Sequence, residues 1–243
     1  YFTDERNARV RKLTPAQIVA EGVANAGTLK AGAVAPGEVI SIFGFEVGPA
    51  VPAGLQVDAA GVVTTQLGGT RVLFDDVPAP LVYVSSGQVN AIVPYGVAGK
   101  DSTRMQVIFQ GRATNTITLP VVAASPGVFA ITNEDGSVNS AANPAAQGSI
   151  LVIYGTGEGQ TAPGGVDGSV ARTVFPKPVL PVSVLAGGQA AEVLYAGAAP
   201  DFVAGVMQVN LRIPAGLRGT LPLQLRIGEA TTPAGLNIFV RAQ

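Results

Sequence analysis

The chain contains neither histidine nor cysteine. Without them there is no Ser-His or Cys-His pair to activate a nucleophile and no zinc site of the usual ligands, so chemistry falls to carboxylates, lysine and tyrosine. Asp75-Asp76 is the most suggestive carboxylate pair. The chain supplies its own control, because the matching positions in a second, similar half are Gly187-Gly188. A place that accepts either Asp-Asp or Gly-Gly is a tight turn rather than a paired acid and base. Asn133-Glu134-Asp135-Gly136-Ser137 gathers oxygen ligands as a calcium loop would, yet it lacks the alternating acidic positions and terminal Glu of an EF-hand. Asp135-Gly136 between short extended pieces reads as a hairpin turn. Gly155-Thr156-Gly157-Glu158-Gly159 has the wrong spacing for a dinucleotide fingerprint, and Pro163-Gly164-Gly165 forbids the helix whose N-terminus would hold a phosphate. No catalytic residue, metal ligand or cofactor site is expected, and the chain is read as a protein that is not an enzyme.

The elements that would position any site are organised around two near copies, Gln88-Val89-Asn90-Ala91-Ile92-Val93-Pro94 and Gln208-Val209-Asn210-Leu211-Arg212-Ile213-Pro214. Each alternates apolar and other residues and stops at a proline, as a β-strand with its Gln and Asn on one face would. Gly37–Gly44 matches Gly148–Gly155, and Leu81–Tyr83 matches Val193–Tyr195, in the same order. Four residues separate Tyr83 from Gln88 and twelve separate Tyr195 from Gln208, so the second copy carries an extended loop over Gly197–Gly205. The paired amides suit hydroxyl recognition, as on a saccharide-binding face. Their recurrence in two copies with different loops instead favours a shared structural task, such as satisfying backbone groups at a sheet edge. Aromatic residues make up 6% with no Trp, which weakens a sugar-stacking platform.

Composition narrows the class further. The apolar fraction is 47% and charged residues are 13%, well under the roughly 25% of an average soluble protein. The 31 Gly and 18 Pro are scattered without a period, which suits many short strands joined by tight turns. A formal net charge of −1 provides no basic field for nucleic acid. The longest uncharged stretches, Val77–Gly99 and Gly136–Gly157, are interrupted by Pro78, Pro80, Pro94 and Pro144, so neither forms a membrane-spanning segment. Absent cysteine excludes disulfides and leaves the redox compartment open.

Strands are expected at Glu38–Phe43, Thr70–Phe74, Pro80–Val84, Gln88–Val93, Arg104–Phe109 and Arg112–Val122, then at Gly148–Gly155, Val182–Leu185, Ala190–Ala196, Met207–Ile213, Leu221–Ile227 and Gly235–Val240. Their spacing of roughly ten residues argues for an all-β chain of two tandem immunoglobulin-like β-sandwich domains with an N-terminal extended arm. The division is an arm over 1–30, a first domain over 31–124, a linker with a hairpin turn over 125–147, and a second domain over 148–243. Thr14-Pro15-Ala16-Gln17 has the form of a capping box and predicts a short helix to about Ala20.

The first thirteen residues hold Asp4, Glu5, Arg6, Arg9, Arg11 and Lys12, six of the 31 charged residues. This segment is foreign to the rest of the chain and belongs to neither repeat. Tyr1, Phe2, Val10 and Leu13 are its candidate apolar anchors for a partner. A chain that begins at Tyr1 rather than Met also reads as a processed mature form.

Six motifs occur in order: Val34–Gly44, Ala79–Val84, Gln88–Asn90, Ser125–Phe129, the stretch Asn133–Pro144, and Ile153–Gly157. Over about residues 22 to 241 the chain resembles an uncharacterised C-terminal domain family found on secreted proteins of acidobacterial type. The resemblance implies an extracellular or cell-surface location, a pair of immunoglobulin-like units and no activity. It also implies a first strand near Glu21–Asn25. Family members carry this module behind larger N-terminal regions, whereas only the short arm precedes it here, which points to attachment or assembly. The leading expectation is a noncatalytic extracellular structural protein that associates with copies of itself, the arm docking on a neighbour by strand addition to give a homo-oligomer or filament. The alternative is a surface adhesin or glycan-binding module that uses the loops Gly44–Gly69 and Gly197–Gly205.

Overall fold

A computed structural model describes residues 16–241 in full, and residues 2–4 and 9–11 as backbone. Each half of the chain contributes seven principal strands. In the first half these are β1 (Val23–Asn25), β2 (Val39–Phe43), β3 (Thr70–Phe74), β4 (Leu81–Val84), β5 (Gln88–Ile92), β6 (Ser102–Phe109) and β7 (Ile117–Pro120). In the second they are β8 (Gly127–Asn133), β9 (Ile150–Thr156), β10 (Val182–Ala186), β11 (Gln189–Ala198), β12 (Met207–Arg212), β13 (Gly219–Ile227) and β14 (Asn237–Val240).

The two halves repeat one topology. The order β1-β2-β5-β4 recurs as β8-β9-β12-β11, and β3 pairs β6 as β10 pairs β13. Strand β7 lies on β6 as β14 lies on β13. All these pairings are antiparallel. In the first half the pairing makes two facing sheets; in the second, the ten-residue β11 pairs both β12 and β10 and so joins the two layers. The chain is therefore all-β, with two tandem immunoglobulin-like β-sandwich domains. One core holds Ile40, Ile42, Phe74, Leu81, Met105 and Leu119, and the other holds Leu151, Ile153, Met207, Leu211, Leu225 and Ile238. The halves also share details that pattern matching did not pair. The Val107 N–H donates to Thr114 Oγ1 at 3.1 Å, as the Leu225 N–H does to Thr232 Oγ1 at 3.1 Å.

Local differences from the sequence expectations have physical causes. The expected helix is absent over Ala16–Val19; Thr14 and Pro15 lie outside the described residues. Ile18 is buried in the first core, and Asn115 holds it in place of a neighbouring strand. Asn115 Oδ1 accepts from the Ile18 N–H and Asn115 Nδ2 donates to the Ile18 carbonyl, each at 2.8 Å. The same Asn115 sits in a break of the expected strand Arg112–Val122, which appears as Arg112–Ala113 and β7. A short 3₁₀ turn at Ala20–Gly22 leads directly into β1, so part of the expected arm joins the first sheet. Likewise β8 occupies the expected linker, because Ile131 on it is buried in the second core. In the arm itself, Phe2–Asp4 pairs antiparallel with Arg9–Arg11.

Asp75-Asp76 and Gly187-Gly188 are equivalent hairpin tips. All four residues have positive φ, at 46° and 69° in the first pair and 56° and 79° in the second. Two successive left-handed residues are what the type I′ turn requires, and Asp tolerates that region better than most side chains. Asp75 also anchors the neighbouring strand, accepting from Lys100 Nζ, Thr103 Oγ1 and the Arg104 N–H, each at 2.9 Å. These bonds, that to Lys100 foremost, hold its carboxyl well below the usual carboxylate range. Asp135-Gly136 is likewise a turn, with Asp135 Oδ1 accepting from the Ser137 N–H at 2.9 Å and Gly136 at φ 82°.

Candidate functional site

The repeated amides occupy central strands, β5 and β12, rather than an edge. Gln88 Nε2 donates to Asn90 Oδ1 at 2.8 Å, and Gln208 Nε2 donates to Asn210 Oδ1 at 2.9 Å. Each pair bonds within its own strand, two residues apart on one face. This corrects the expected task at a sheet edge.

Two places combine shape with chemistry. The first is an open groove of about 540 Å³ at one end of the first sandwich. The Phe45–Ala50 loop after β2, Ser86 in the β4–β5 turn, and the β6 hairpin tip at Phe109–Arg112 converge there. Glu46 and Gln110 hold positive φ at 55° and 49°, and the tight turns they make bring these loops together. Phe45 is 77% exposed, more than any other phenylalanine whose side chain is described, and it is joined by Phe109 on the same lining. Glu46, Ser86, Gln110 and Arg112 supply exposed donors and acceptors around the rings. Among the described residues, the side chains of Glu46, Gln110 and Arg112 form no hydrogen bond or ion pair with one another.

The second place is the junction between the sandwiches. The glycine-rich stretch that follows β9 has a packing logic. A Cβ at Gly155, Gly157 or Gly159 would fall on the carbonyl oxygen of Gly127, Ser125 or Ala123 respectively. The alternating glycines let this edge lie flush against the connecting chain, so Thr156 and Glu158 take the intervening positions. Thr156 Oγ1 accepts from the Val39 N–H at 2.7 Å and donates to the Gly205 carbonyl at 2.7 Å. Glu158 Oε1 accepts from the Tyr95 hydroxyl at 3.3 Å. Tyr95 is held at its backbone as well. Its N–H donates to Asp167 Oδ1 and its carbonyl accepts from Gln160 Nε2, both at 2.9 Å.

A second buried carboxylate lies nearby in the fold. Glu38 Oε2 accepts from the Ala35 N–H at 2.6 Å, and Glu38 Oε1 accepts from Ser125 Oγ at 3.2 Å. Asn25 Nδ2 in turn donates to the Ser125 carbonyl at 2.9 Å. An apolar seam of Val39, Val63, Ile92 and Val203 completes the junction. The second-half loop Gly197–Gly205 thus acts largely as a wedge: Ala199 and Val203 are buried, while Phe202 lies against Tyr154 with ring centroids 5.8 Å apart.

Burial dominates the electrostatics here. Glu38 and Glu158 are 1% and 2% exposed, and desolvation pushes each carboxyl up to about 7. Hydrogen bonds, chiefly from the Ala35 N–H, pull Glu38 partly back, and the Tyr95 hydroxyl does the same for Glu158. Burial likewise raises the Tyr95 phenol and the Asp167 carboxyl. Beside Glu158 opens a cavity of about 450 Å³, walled by Pro163, Val170, Ala171, Pro176 and Ala198.

Of the residues expected to meet a partner, Tyr1 and Leu13 lie outside the described residues. Phe2 and Val10 lie on opposite strands of the arm hairpin, where the backbone alone is described. Among the described residues, no group of three Asp or Glu side chains is placed to hold a metal, and no helix is long and apolar enough to cross a membrane. Glu38 and Glu158 were not singled out by residue type, although the repeat carried a signal. Extending its alignment sets Glu158 against Val47, which is fully buried.

No family model and no curated protein matches the chain. Similar solved structures include SGBP-B from a complex xyloglucan utilization locus in Bacteroides uniformis, at 13% identity and TM-score 0.32, covering 93% of this chain and 50% of that one. SGBP-B of the Bacteroides ovatus mixed-linkage glucan utilization locus, in complex with a mixed-linkage heptasaccharide, is 15% identical at TM-score 0.36, covering 92% and 45%. The I9–I11 tandem from titin is 10% identical at TM-score 0.25, covering 93% and 66%. The chain spans between 18% and 50% of the length of the first structures it matches. Likeness of this degree bears on neither ligand nor partner.

Proposed function

We propose that this chain is a noncatalytic binding module, displayed outside the cell, that takes a glycan segment in the groove at the end of its first sandwich. The exposed ring of Phe45 is the observation that carries the reading. An aromatic face left in water beside Glu46, Gln110 and Arg112 pairs a stacking platform with planar hydrogen-bonding groups, and a sugar ring needs both. The groove is open rather than enclosed, which suits an extended chain. The junction supports the reading mechanically, since Thr156, Glu158 and Asp167 tie the second sandwich to the first and hold the groove at a fixed angle. The shared motif order with C-terminal domains of secreted proteins supports membership of that family and the outside location. A glycan array followed by titration of the best oligosaccharide tests the proposal. Phe45→Ala weakens binding by about tenfold, as expected for the loss of one aromatic contact of roughly 1.4 kcal/mol, with the thermal midpoint unchanged. Equal binding by Phe45→Ala and the unaltered protein refutes it.

A second reading, association with copies of itself through the arm, is favoured by the hairpin of Phe2–Asp4 with Arg9–Arg11, which among the described residues pairs with no other strand. An unpaired hairpin edge is a template for another chain. Removal of residues 1–13 converts any assembly seen by light scattering to monomer; unchanged particle size eliminates this reading.

A further inference from the structure

We infer that the cavity between the two sandwiches is a binding site for a small apolar molecule bearing one protonated amine, with Glu158 as its counter-ion. Four observations converge on this chemistry. Glu158 lies in the cavity lining and is 2% exposed, and its Oε2 has no hydrogen-bond partner, whereas Oε1 is engaged by Tyr95. A buried carboxylate oxygen left unsatisfied costs about 1–3 kcal/mol, more when charged, so the site gains by admitting a donor. The lining contains Glu158 and no Lys or Arg, Asp167 stands at the other end of Tyr95, and the further titratable group that feels Glu158 is Tyr195, whose hydroxyl donates to the Ala198 carbonyl, so the local charge favours a cation. The walls are largely apolar, broken by the hydroxyl residues Tyr95, Ser169 and Thr173: Pro163, Val170, Ala171, Pro176 and Ala198 offer surface for a hydrocarbon body, and Val166 and Val174 sit exposed among the lining residues.

The size fits as well. A cavity of about 450 Å³ lies within the roughly 300–1,000 Å³ usual for ligand pockets and has room for a short alkyl chain. Oε2 is covered, but the terminal torsion of a Glu side chain is broad, so the carboxylate can turn to meet an entering ammonium, the Tyr95 hydroxyl bonding either oxygen. Gly165 makes this geometry possible. A Cβ there would fall on the Tyr95 ring, and only a glycine lets that wall approach the tyrosine that orients Glu158.

The probe is n-hexylammonium, with n-hexanol as the neutral control, titrated into the full chain by calorimetry at pH 5.5 and pH 8. Hexylammonium is expected to bind about tenfold tighter at pH 8, where Glu158 is ionised, and to bind more tightly than hexanol there. Glu158→Gln abolishes that preference. Val174→Trp, a change at an exposed position that leaves Glu158 in place, blocks binding of both probes. Equal affinity for hexanol and hexylammonium at pH 8, undiminished hexylammonium binding by Glu158→Gln, or no binding of either probe overturns the inference.

Discussion

Acidification from pH 8.5 to pH 4.5 should stabilise this protein, against the usual trend for carboxylate-rich surfaces. Glu38 and Glu158 each move from an ordinary 4.5 to about 7 in the folded state because burial penalises the charged form. A carboxyl with a raised folded pKa binds its proton more tightly when folded. Its contribution is therefore complete below about 4.5 and is lost as pH rises through about 7. At about 1.36 kcal/mol per pKa unit, each group removes about 3 kcal/mol across that window, a large share of a typical stability of about 5–15 kcal/mol. Asp75 and Asp135, both held below their ordinary values, work in the opposite sense only below about pH 4, outside the window. Urea denaturation followed by far-UV circular dichroism across the range measures the effect. The midpoint should fall between about pH 4.5 and pH 7 and level off above, the raised Asp167 adding in the same sense, and Glu158→Gln should remove a large part of the slope, since Gln cannot ionise. A midpoint that is flat or rises over that range would refute the electrostatic description of the junction.

Other consequences follow from the same packing. Thr156→Ala leaves the Val39 N–H and Gly205 carbonyl without their shared partner and should cost about 1–3 kcal/mol, read as a lower denaturation midpoint. Gly157→Ala drives a Cβ into the Ser125 carbonyl at a positive φ of 79°, so it should destabilise by more than about 2 kcal/mol or prevent folding. Gly136→Ala has a similar φ of 82° but meets nothing within 4 Å, so thermal melting should show a loss of only about 1 kcal/mol. Asp75→Ala removes two bonds that tie its turn to β6 and a third to Lys100 just before it, and should lower the midpoint at pH 7. Asp76→Gly, which relieves a φ of 69°, should be neutral or slightly stabilising.

The strands were legible because most of them alternate apolar and other residues and are bounded by turn-forming residues such as Gly, Pro or Asp, and the repeat set their order. The repeat also identified Asp75-Asp76 as a turn, since a paired acid would not be replaced by two glycines. The junction was harder to read. Glu158 sits in a run of glycines that resembles an exposed loop. Its neighbours are glycine to admit the backbone at 123–127, a long-range contact that local patterning does not report. Glu38 looks like an ordinary polar strand start, and its burial depends on Ser125, 87 residues away. The expected helix is missing over Ala16–Val19 for a similar reason, because Asn115, 97 residues on, offers Ile18 both a donor and an acceptor and overrides local helix propensity. The groove was half visible: the loop from Gly44 was singled out, but the exposure of Phe45 depends on how the β6 hairpin tip stands beside it.

An NMR titration of the full chain with the oligosaccharide that binds best on an array tests the glycan reading most directly. The account predicts that the backbone amides of Phe45, Glu46, Gln110, Gly111 and Arg112 shift together along one saturating curve, while those of the second sandwich stay in place. Shifts confined to the second sandwich, or none at saturating sugar, would contradict it.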